Sequence, residues 1–217
     1  VAAGAIDDGV AGAVGSDVNV TGTTTLTAST TIMLDDATND FGQAVNADGQ
    51  AITLSDVNSI ILGDIDADGA LVVSAASGAI SQDGDGAAGG DINSAAEASF
   101  TAATTITLTD ASNDFAGAVN AAGTDISLND LNALELADID AATLTATAAT
   151  KCAAKNDVIP KHFFDLLPKF ERRSFWWPFW RTVGEDSTVR NCHFKSRGAE
   201  NTLVCYYTLV VNYVQLM

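Results

Sequence analysis

Three aspartates at alternate positions are the strongest candidates for chemistry in this 217-residue chain. Asp64, Asp66 and Asp68 lie in the segment GDIDADG and are followed by Gly69. The spacing D-x-D-x-D-G is typical of the first half of a calcium loop, in which carboxylate oxygens converge on Ca²⁺ around a tight glycine turn. The glutamate that completes such a loop is missing, because Ala75 occupies its position. The sequence therefore predicts at most a weak Ca²⁺ site, and the alternative is a solvated acidic turn.

Side chains suited to catalysis are scarce in the first 150 residues, which contain no Lys, Arg, His or Cys. Paired carboxylates act as acid and base in enzymes that cleave polysaccharides, but carboxylates are so widespread here that the pattern selects no pair. Cys152, Cys192, His193 and Cys205 form a mixed set of metal-ligand types, yet their spacings fit no zinc motif. We therefore expect no enzymatic activity and no cofactor apart from the weak Ca²⁺ candidate.

Charge divides the chain into two segments and excludes some partners. Residues 1–150 hold 22 of the 28 acidic residues and no basic ones, whereas residues 151–217 hold all ten Lys and Arg. An acidic surface without cations repels the phosphates of nucleic acids and of anionic lipids, so we expect no nucleic-acid partner. The chain has no apolar run of about 18 residues, so we expect no membrane-spanning helix.

A repeat at an offset of 74 residues is the strongest indication of the fold. Residues 30–66 and 104–140 are identical at 22 of 37 positions, without a gap. Within each copy, pairs of apolar residues recur at a shorter period of about 20 residues, which is typical of the coils of a solenoid. This period predicts two stacked columns: Ile32, Ile52 and Leu71, and Phe41, Ile60 and Ile80.

Substitutions between the two copies distinguish inward from outward positions. Alternate residues such as Leu54 are unchanged, whereas Met33 is replaced by Thr107 and Ile61 by Glu135. Because side chains alternate between the two faces of a strand, the unchanged positions are predicted to face a core. Thr-, Val- and Ile-rich segments between Asn, Asp and Gly turns favour strands over helices. The predicted buried residues are Ile32, Leu34, Ile52, Leu54, Leu62, Ile106, Leu108, Ile126, Leu128 and Leu136.

These features predict an all-β fold, a parallel β-solenoid with coils of about 20 residues and a 74-residue super-repeat. We assign residues 1–150 to the solenoid and residues 151–217 to an unrelated tail of α/β or disordered structure, basic and aromatic-rich, with the segment FWWPFW at 175–180. The abrupt loss of the repeat in the tail indicates either an out-of-frame or junction segment or a capping domain. Because the chain starts within the pattern, we interpret it as a fragment of a larger protein.

Asparagines recur where the chain has to turn after the apolar pairs. Asparagine tolerates left-handed backbone and bonds its own turn, so these residues can act independently. If they stack on successive coils, their side chains can instead form a ladder along the rod. Both interpretations remain open for Asn39, Asn58, Asn113 and Asn132.

The segment ITLTDASNDFAGAVNAAGTDISLNDLNALEL, beginning at Ile106, resembles the repeats of very large bacterial surface proteins of the filamentous-haemagglutinin-like adhesin kind. The resemblance covers residues 17–148. It implies a right-handed parallel β-helix, export to the cell surface and contact with other cells or matrices, but it names no ligand.

We therefore predict a non-enzymatic structural or adhesive repeat segment of a large exported bacterial protein, located outside the cell or on its surface. The expected partners are neighbouring repeats of the same parent chain and glycans or proteins of other cells. The alternative is a calcium-dependent, carbohydrate-associated β-helix module, either lectin-like or active on polysaccharides.

Overall fold

The computed structural model describes residues 2–9, 17–84 and 90–150 in full, and the backbone alone of the strands at 151–154, 191–197 and 200–206. These residues contain strands and turns only, so no helix among them could cross a membrane. In chain order the strands of the first half are β1 Ile6–Asp7, β2 Asn19–Val20, β3 Thr24–Thr27, β4 Thr31–Leu34, β5 Asp40–Phe41, β6 Val45–Gly49, β7 Ala51–Asp56, β8 Ile60–Ala67, β9 Leu71–Ala75 and β10 Ile80–Gln82. The remaining strands are β11 Ile92–Ser94, β12 Ala98–Ala102, β13 Ile106–Leu108, β14 Asp114–Phe115, β15 Ala118–Ala122, β16 Asp125–Asp130, β17 Ala133–Asp140, β18 Thr143–Ala148, β19 Lys151–Ala154, β20 Asn191–Arg197 and β21 Glu200–Tyr206.

The chain folds as a parallel β-solenoid of about six turns. One sheet has eight strands in the order β1-β4-β7-β9-β12-β15-β17-β19, and a second sheet has eleven strands, among them β3, β6, β8, β10, β13, β16 and β18. The strands β2 and β5 form a small third sheet. All pairings of the strands β1 to β19 with one another are parallel, which confirms the predicted all-β solenoid.

Stacked apolar columns hold successive coils together. Ile32, Ile52 and Leu71 are register partners in the eight-stranded sheet, as the 20-residue period predicts. Ile60 and Ile80 are also partners, but Phe41 pairs with Val20 and does not belong to their column. The ten residues predicted to be buried are all buried, each at most 4% exposed. Phe100 and Phe115 pack edge to face inside the same core, with ring centroids 5.9 Å apart.

The two copies of the repeat have the same local structure but occupy different sheets. In the first copy β4 pairs with β7 in the eight-stranded sheet; in the second, the equivalent β13 and β16 pair in the eleven-stranded sheet. The pair β6–β8 of the first copy lies in the eleven-stranded sheet, whereas the equivalent pair β15–β17 lies in the eight-stranded sheet. Both pairs contain a register shift at equivalent residues. Equivalent outward side chains of the two copies therefore lie on different sheets of the rod.

The tail adds strands beside the last coils. The strand β19 pairs with β17 in parallel, so the parallel ladder extends to Ala154. The strand β20 pairs antiparallel with β18 and with β21. The aromatic segment at 175–180, and the side chains of Cys152, Cys192, His193 and Cys205, lie outside the described residues.

Candidate functional site

The three aspartates of the predicted calcium loop lie on an extended strand. Asp64 and Asp66 are exposed on the outer side of β8, alternating with the buried Ile65 and Ala67, and the exposed Asp68 follows directly. Alternate residues of a strand are about 6.6 Å apart, whereas the oxygen ligands of Ca²⁺ lie about 2.3–2.6 Å from the ion. The backbone therefore does not curl these side chains around one point as a calcium loop does.

Asp66 has an acidic neighbour on another strand as well as on its own. It is the register partner of Asp48 on β6 and of Asn93 on β11. Although Asp66 is exposed, partial desolvation raises the pKa of its carboxyl, and the negative charges of Asp48, Asp68 and Asp64 raise it further. Asp48 and Asp68 also line an open cleft of about 360 Å³. Within the described ranges no group of three or more His, Cys, Asp or Glu side chains is placed to hold a metal ion.

We predict that any Ca²⁺ binding is weak and centred on Asp66. Clustered carboxylates on a strand lack the enclosing ligands of a loop, so a dissociation constant no tighter than about 10⁻⁴–10⁻³ M is expected. Calorimetric titration of the full chain should show this weak binding lost in Asp66→Asn and kept in Asp140→Asn, the matched position of the second copy. Micromolar binding that Asp66→Asn abolishes would show that the three aspartates form a true site.

The buried polar side chains form a second candidate, of which the sequence singled out the asparagines but not the aspartates. Asp36, Asn39 and Asp56 are at most 2% exposed and lie where the first copy turns between strands. Asp36 Oδ1 accepts hydrogen bonds from the backbone N–H and the hydroxyl of Thr38, at 3.0 and 2.7 Å. Asp56 accepts from Phe41 N at 2.8 Å and from Asn58 N at 2.6 Å. We call this set, Asp36, Asn39 and Asp56, the corner clamp.

Asn39 connects the corner clamp to neighbouring coils. Its Oδ1 accepts from Val18 N at 2.8 Å, its Nδ2 donates to Asp8 Oδ2 at 2.8 Å, and its backbone carbonyl accepts from Val57 N at 2.7 Å. Val18 precedes Asn39 by about one coil and Val57 follows by about one coil. A single buried asparagine thus ties three successive coils, which satisfies backbone groups that the turns would otherwise leave unpaired.

The second copy repeats the corner clamp bond for bond with Asp110, Asn113 and Asp130. Asn113 Oδ1 accepts from Ile92 N at 2.9 Å, and Asp110 Oδ1 accepts from Ser112 N at 2.8 Å. Asp130 accepts from Phe115 N at 2.9 Å and from Asn132 N at 2.6 Å. The sequence signal for this set was present, since all three residues are identical in both copies although some of their direct neighbours, such as Ser55 and Val57, differ.

The four recurring asparagines do not share one role. Asn39 and Asn113 are fully buried in the two corner clamps, whereas Asn58 and Asn132 are exposed. Asn58 Nδ2 donates to Asp40 at 3.4 Å. The structure therefore favours separate turn residues over a continuous asparagine ladder.

Burial raises the pKa of Asp56 and of Asp130, against the lowering effect of the backbone N–H groups that each carboxylate accepts. Nearby Asp40 and Asp114 raise the two pKa values further. The folded protein therefore binds protons more tightly than the unfolded chain, whose aspartate pKa is about 3.9. The stability that this contributes is present below the unfolded pKa and is lost as the pH rises through the raised folded pKa.

We predict that the double variant Asp56→Asn, Asp130→Asn changes the pH dependence of stability. In the wild type these two groups make unfolding harder as the pH falls from 7 towards about 3.9, because the folded state takes up protons first. Urea unfolding at several pH values should show a smaller change with acidification in the variant. Equal pH dependence in both proteins would contradict the assignment.

One position of the clamp network differs between the copies. Gln82 accepts from Asp110 N and Asn113 Nδ2 through Oε1, and donates through Nε2 to Asn113 Oδ1 and to the carbonyl of Gly90. Asp8 takes the equivalent place in the first copy and accepts the same two bonds from Asp36 N and Asn39 Nδ2. Among the residues that the structure describes, its Oδ1 is buried without a hydrogen-bond partner.

We predict that Asp8→Gln stabilises the protein by about 1 kcal/mol, the usual net value of one added hydrogen bond. The amide supplies the donor that Gln82 supplies in the second copy. Asp7→Gln is the matched control, because it removes the same charge at an exposed neighbouring position. Urea unfolding measures the change in the free energy of unfolding in both variants. Equal changes would show that removal of the negative charge, and not the added hydrogen bond, stabilises the protein.

Comparison with known proteins agrees with the repeat architecture. A family model described as Repeats of unknown function (DUF5649) matches residues 1–48 and 49–122, which is more than half of the chain. The chain belongs to the DUF5649 repeat family. The second match spans 74 residues, the same length as the offset between the two copies. A search of curated proteins and a search of solved structures found no match to this DUF5649 protein.

Proposed function

We propose that this DUF5649 protein is a non-enzymatic structural and adhesive segment of a large exported bacterial surface protein. The observation that carries the proposal is the conservation of the corner clamps and the core between copies, together with variation of the outward residues. A repeat unit whose core and turns are unchanged while its surface residues vary is suited to lengthening a rod and to presenting different side chains along that rod.

The geometry of the rod supports a role in extension. Parallel strands stack at about 4.8 Å per coil, so each added unit lengthens the rod by a fixed amount without a new core. The buried carboxylates of Asp56 and Asp130 accept backbone N–H groups, which is a structural use of these acids. In this proposal the neighbours of the segment are further repeats of the parent chain, and its targets are glycans or proteins on other cells.

Exposure at the cell surface can be tested with antibodies raised against the full chain. We expect labelling of intact producing cells that is lost after external protease treatment. Labelling that requires permeabilised cells would overturn the proposed location.

Adhesion can be tested with beads that carry the full chain. We expect saturable retention on immobilised matrix proteins or glycans, and loss of retention when the chain is unfolded by Leu54→Asp. Absence of retention on every surface would overturn the adhesive part. The alternative is calcium-dependent binding of carbohydrate, which the acidic group around Asp66 favours. Addition of a chelator distinguishes the two functions, because only the alternative requires Ca²⁺.

A further inference from the structure

The first coil presents an open edge, which we call the N-terminal edge and define as β1, β2 and β3. Each of these strands is paired on one side, with β4, β5 and β6 respectively. On the other side, the described residues supply only the bridge between Ala2 and Ala28. Ile6, Val18 and Leu26 pack against the core from this edge but remain only partly buried.

The second copy shows what covers the same strands. The equivalents of Ile6, Val18 and Leu26 are Ile80, Ile92 and Phe100, which are all 0% exposed. The coil formed by β8 and β9 covers them in parallel register, with Ile60 on Ile80, Ile65 on Ile92 and Val73 on Phe100.

An unsatisfied polar atom lies at the same edge. Within the part of the chain that the structure describes, Thr24 Oγ1 of β3 is buried without a hydrogen-bond partner. Buried polar groups without partners are rare in complete structures. An unpaired strand edge also offers backbone N–H and C=O groups to another strand. The apolar, polar and backbone features of this edge all indicate a missing neighbour.

We infer that the N-terminal edge binds a coil of another copy of the 74-residue unit, through residues equivalent to Ile60–Ala75. The expected register places Ile60 against Ile6, Ile65 against Val18 and Val73 against Leu26, as the second copy shows for its own strands. The inference rests on the proposed structural-repeat function and specifies the partner as a like unit joined head to tail. A heterologous contact of this kind extends a rod without limit unless a cap ends it.

The test is an insertion in the full chain. A second copy of residues 6–79 is inserted between Ala5 and Ile6, which recreates the natural junction of Ala79 with Ile80. Because donors alternate along a strand, the amides of Asp7 and Thr25 point to the open side. We expect hydrogen exchange at these two original amides to slow by at least about tenfold, because local opening then requires unpairing of a strand.

The control carries the same insertion with Leu62→Asp and Ile65→Asp in the inserted copy only, which prevents its last coil from packing. Unchanged exchange at Asp7 and Thr25 in the first protein, or equal slowing in both proteins, would overturn the inference. Neither outcome depends on cell-surface location or adhesion, so failure here is distinguishable from failure of the proposed function.

Discussion

Leu54→Asp is expected to unfold the solenoid at neutral pH. Leu54 is 0% exposed, and its register partners Leu34 and Val73 lie on the two neighbouring coils. The substitution buries an unpaired carboxylate and leaves a cavity in the column, and together these cost several kcal/mol, roughly 4 or more. This is a large part of the stability of a typical domain, about 5–15 kcal/mol.

Val72→Asp is the matched control for Leu54→Asp. It introduces the same residue into a central strand of the same sheet, but Val72 is 41% exposed and points outward. Its expected cost is at most about 1 kcal/mol, the range of β-strand preferences. Circular dichroism and urea unfolding measure both. Similar losses for the two variants would mean that the inward and outward assignment of these strands is wrong.

Asp130→Ala is expected to cost about 2–3 kcal/mol. The substitution leaves Phe115 N and Asn132 N without the carboxylate that accepts both, and an unsatisfied buried donor costs about 1–3 kcal/mol. The effect is moderated because burial already disfavours the charged carboxylate, as its raised pKa shows.

Two further variants serve as comparisons for the stability of Asp130→Ala. Asp138→Ala removes an exposed carboxylate from the neighbouring strand and should leave stability within about 0.5 kcal/mol. Asp130→Asn keeps one carbonyl acceptor, so its loss of stability should lie between the losses in Asp130→Ala and Asp138→Ala. Urea unfolding that ranks Asp138→Ala as the more damaging change would contradict the structural role of the corner clamp.

The coil architecture was predictable because it depends on a pattern that the copies repeat. Leu54 and Leu128 are unchanged at matched positions, whereas Ile61 becomes Glu135, and the structure places the unchanged pair in the core. The exchange of the copies between sheets was not predictable from the same pattern. The exchange depends on the lengths of the coils, which are not uniform. Along the stacked register partners from Ile32 to Leu136, successive partners are 17 to 27 residues apart in sequence.

The candidate site was harder to predict, because the same residue types and spacings occur in different backbone geometries. The segment around Asp66 has the spacing of a calcium loop, but the inward Ile65 and Ala67 hold it in an extended strand. Asp56 and Asp130 look like ordinary turn aspartates in sequence, and only the fold shows that they are buried. Their partners, Phe41 N and Phe115 N, are separated from them by 15 residues, which local turn rules do not span.

The most direct test of the central claim is a solution NMR measurement of contacts between methyl groups in the full chain. Parallel stacking predicts nuclear Overhauser effects between Ile52 and Leu71 in the eight-stranded sheet, and between Ile80 and Ile106, the pair that joins the second copy to the eleven-stranded sheet. Observation of both contacts would support the solenoid and the transfer of the second copy to the other sheet. Their absence, with contacts typical of antiparallel hairpins in residues 30–66 and 104–140, would contradict it.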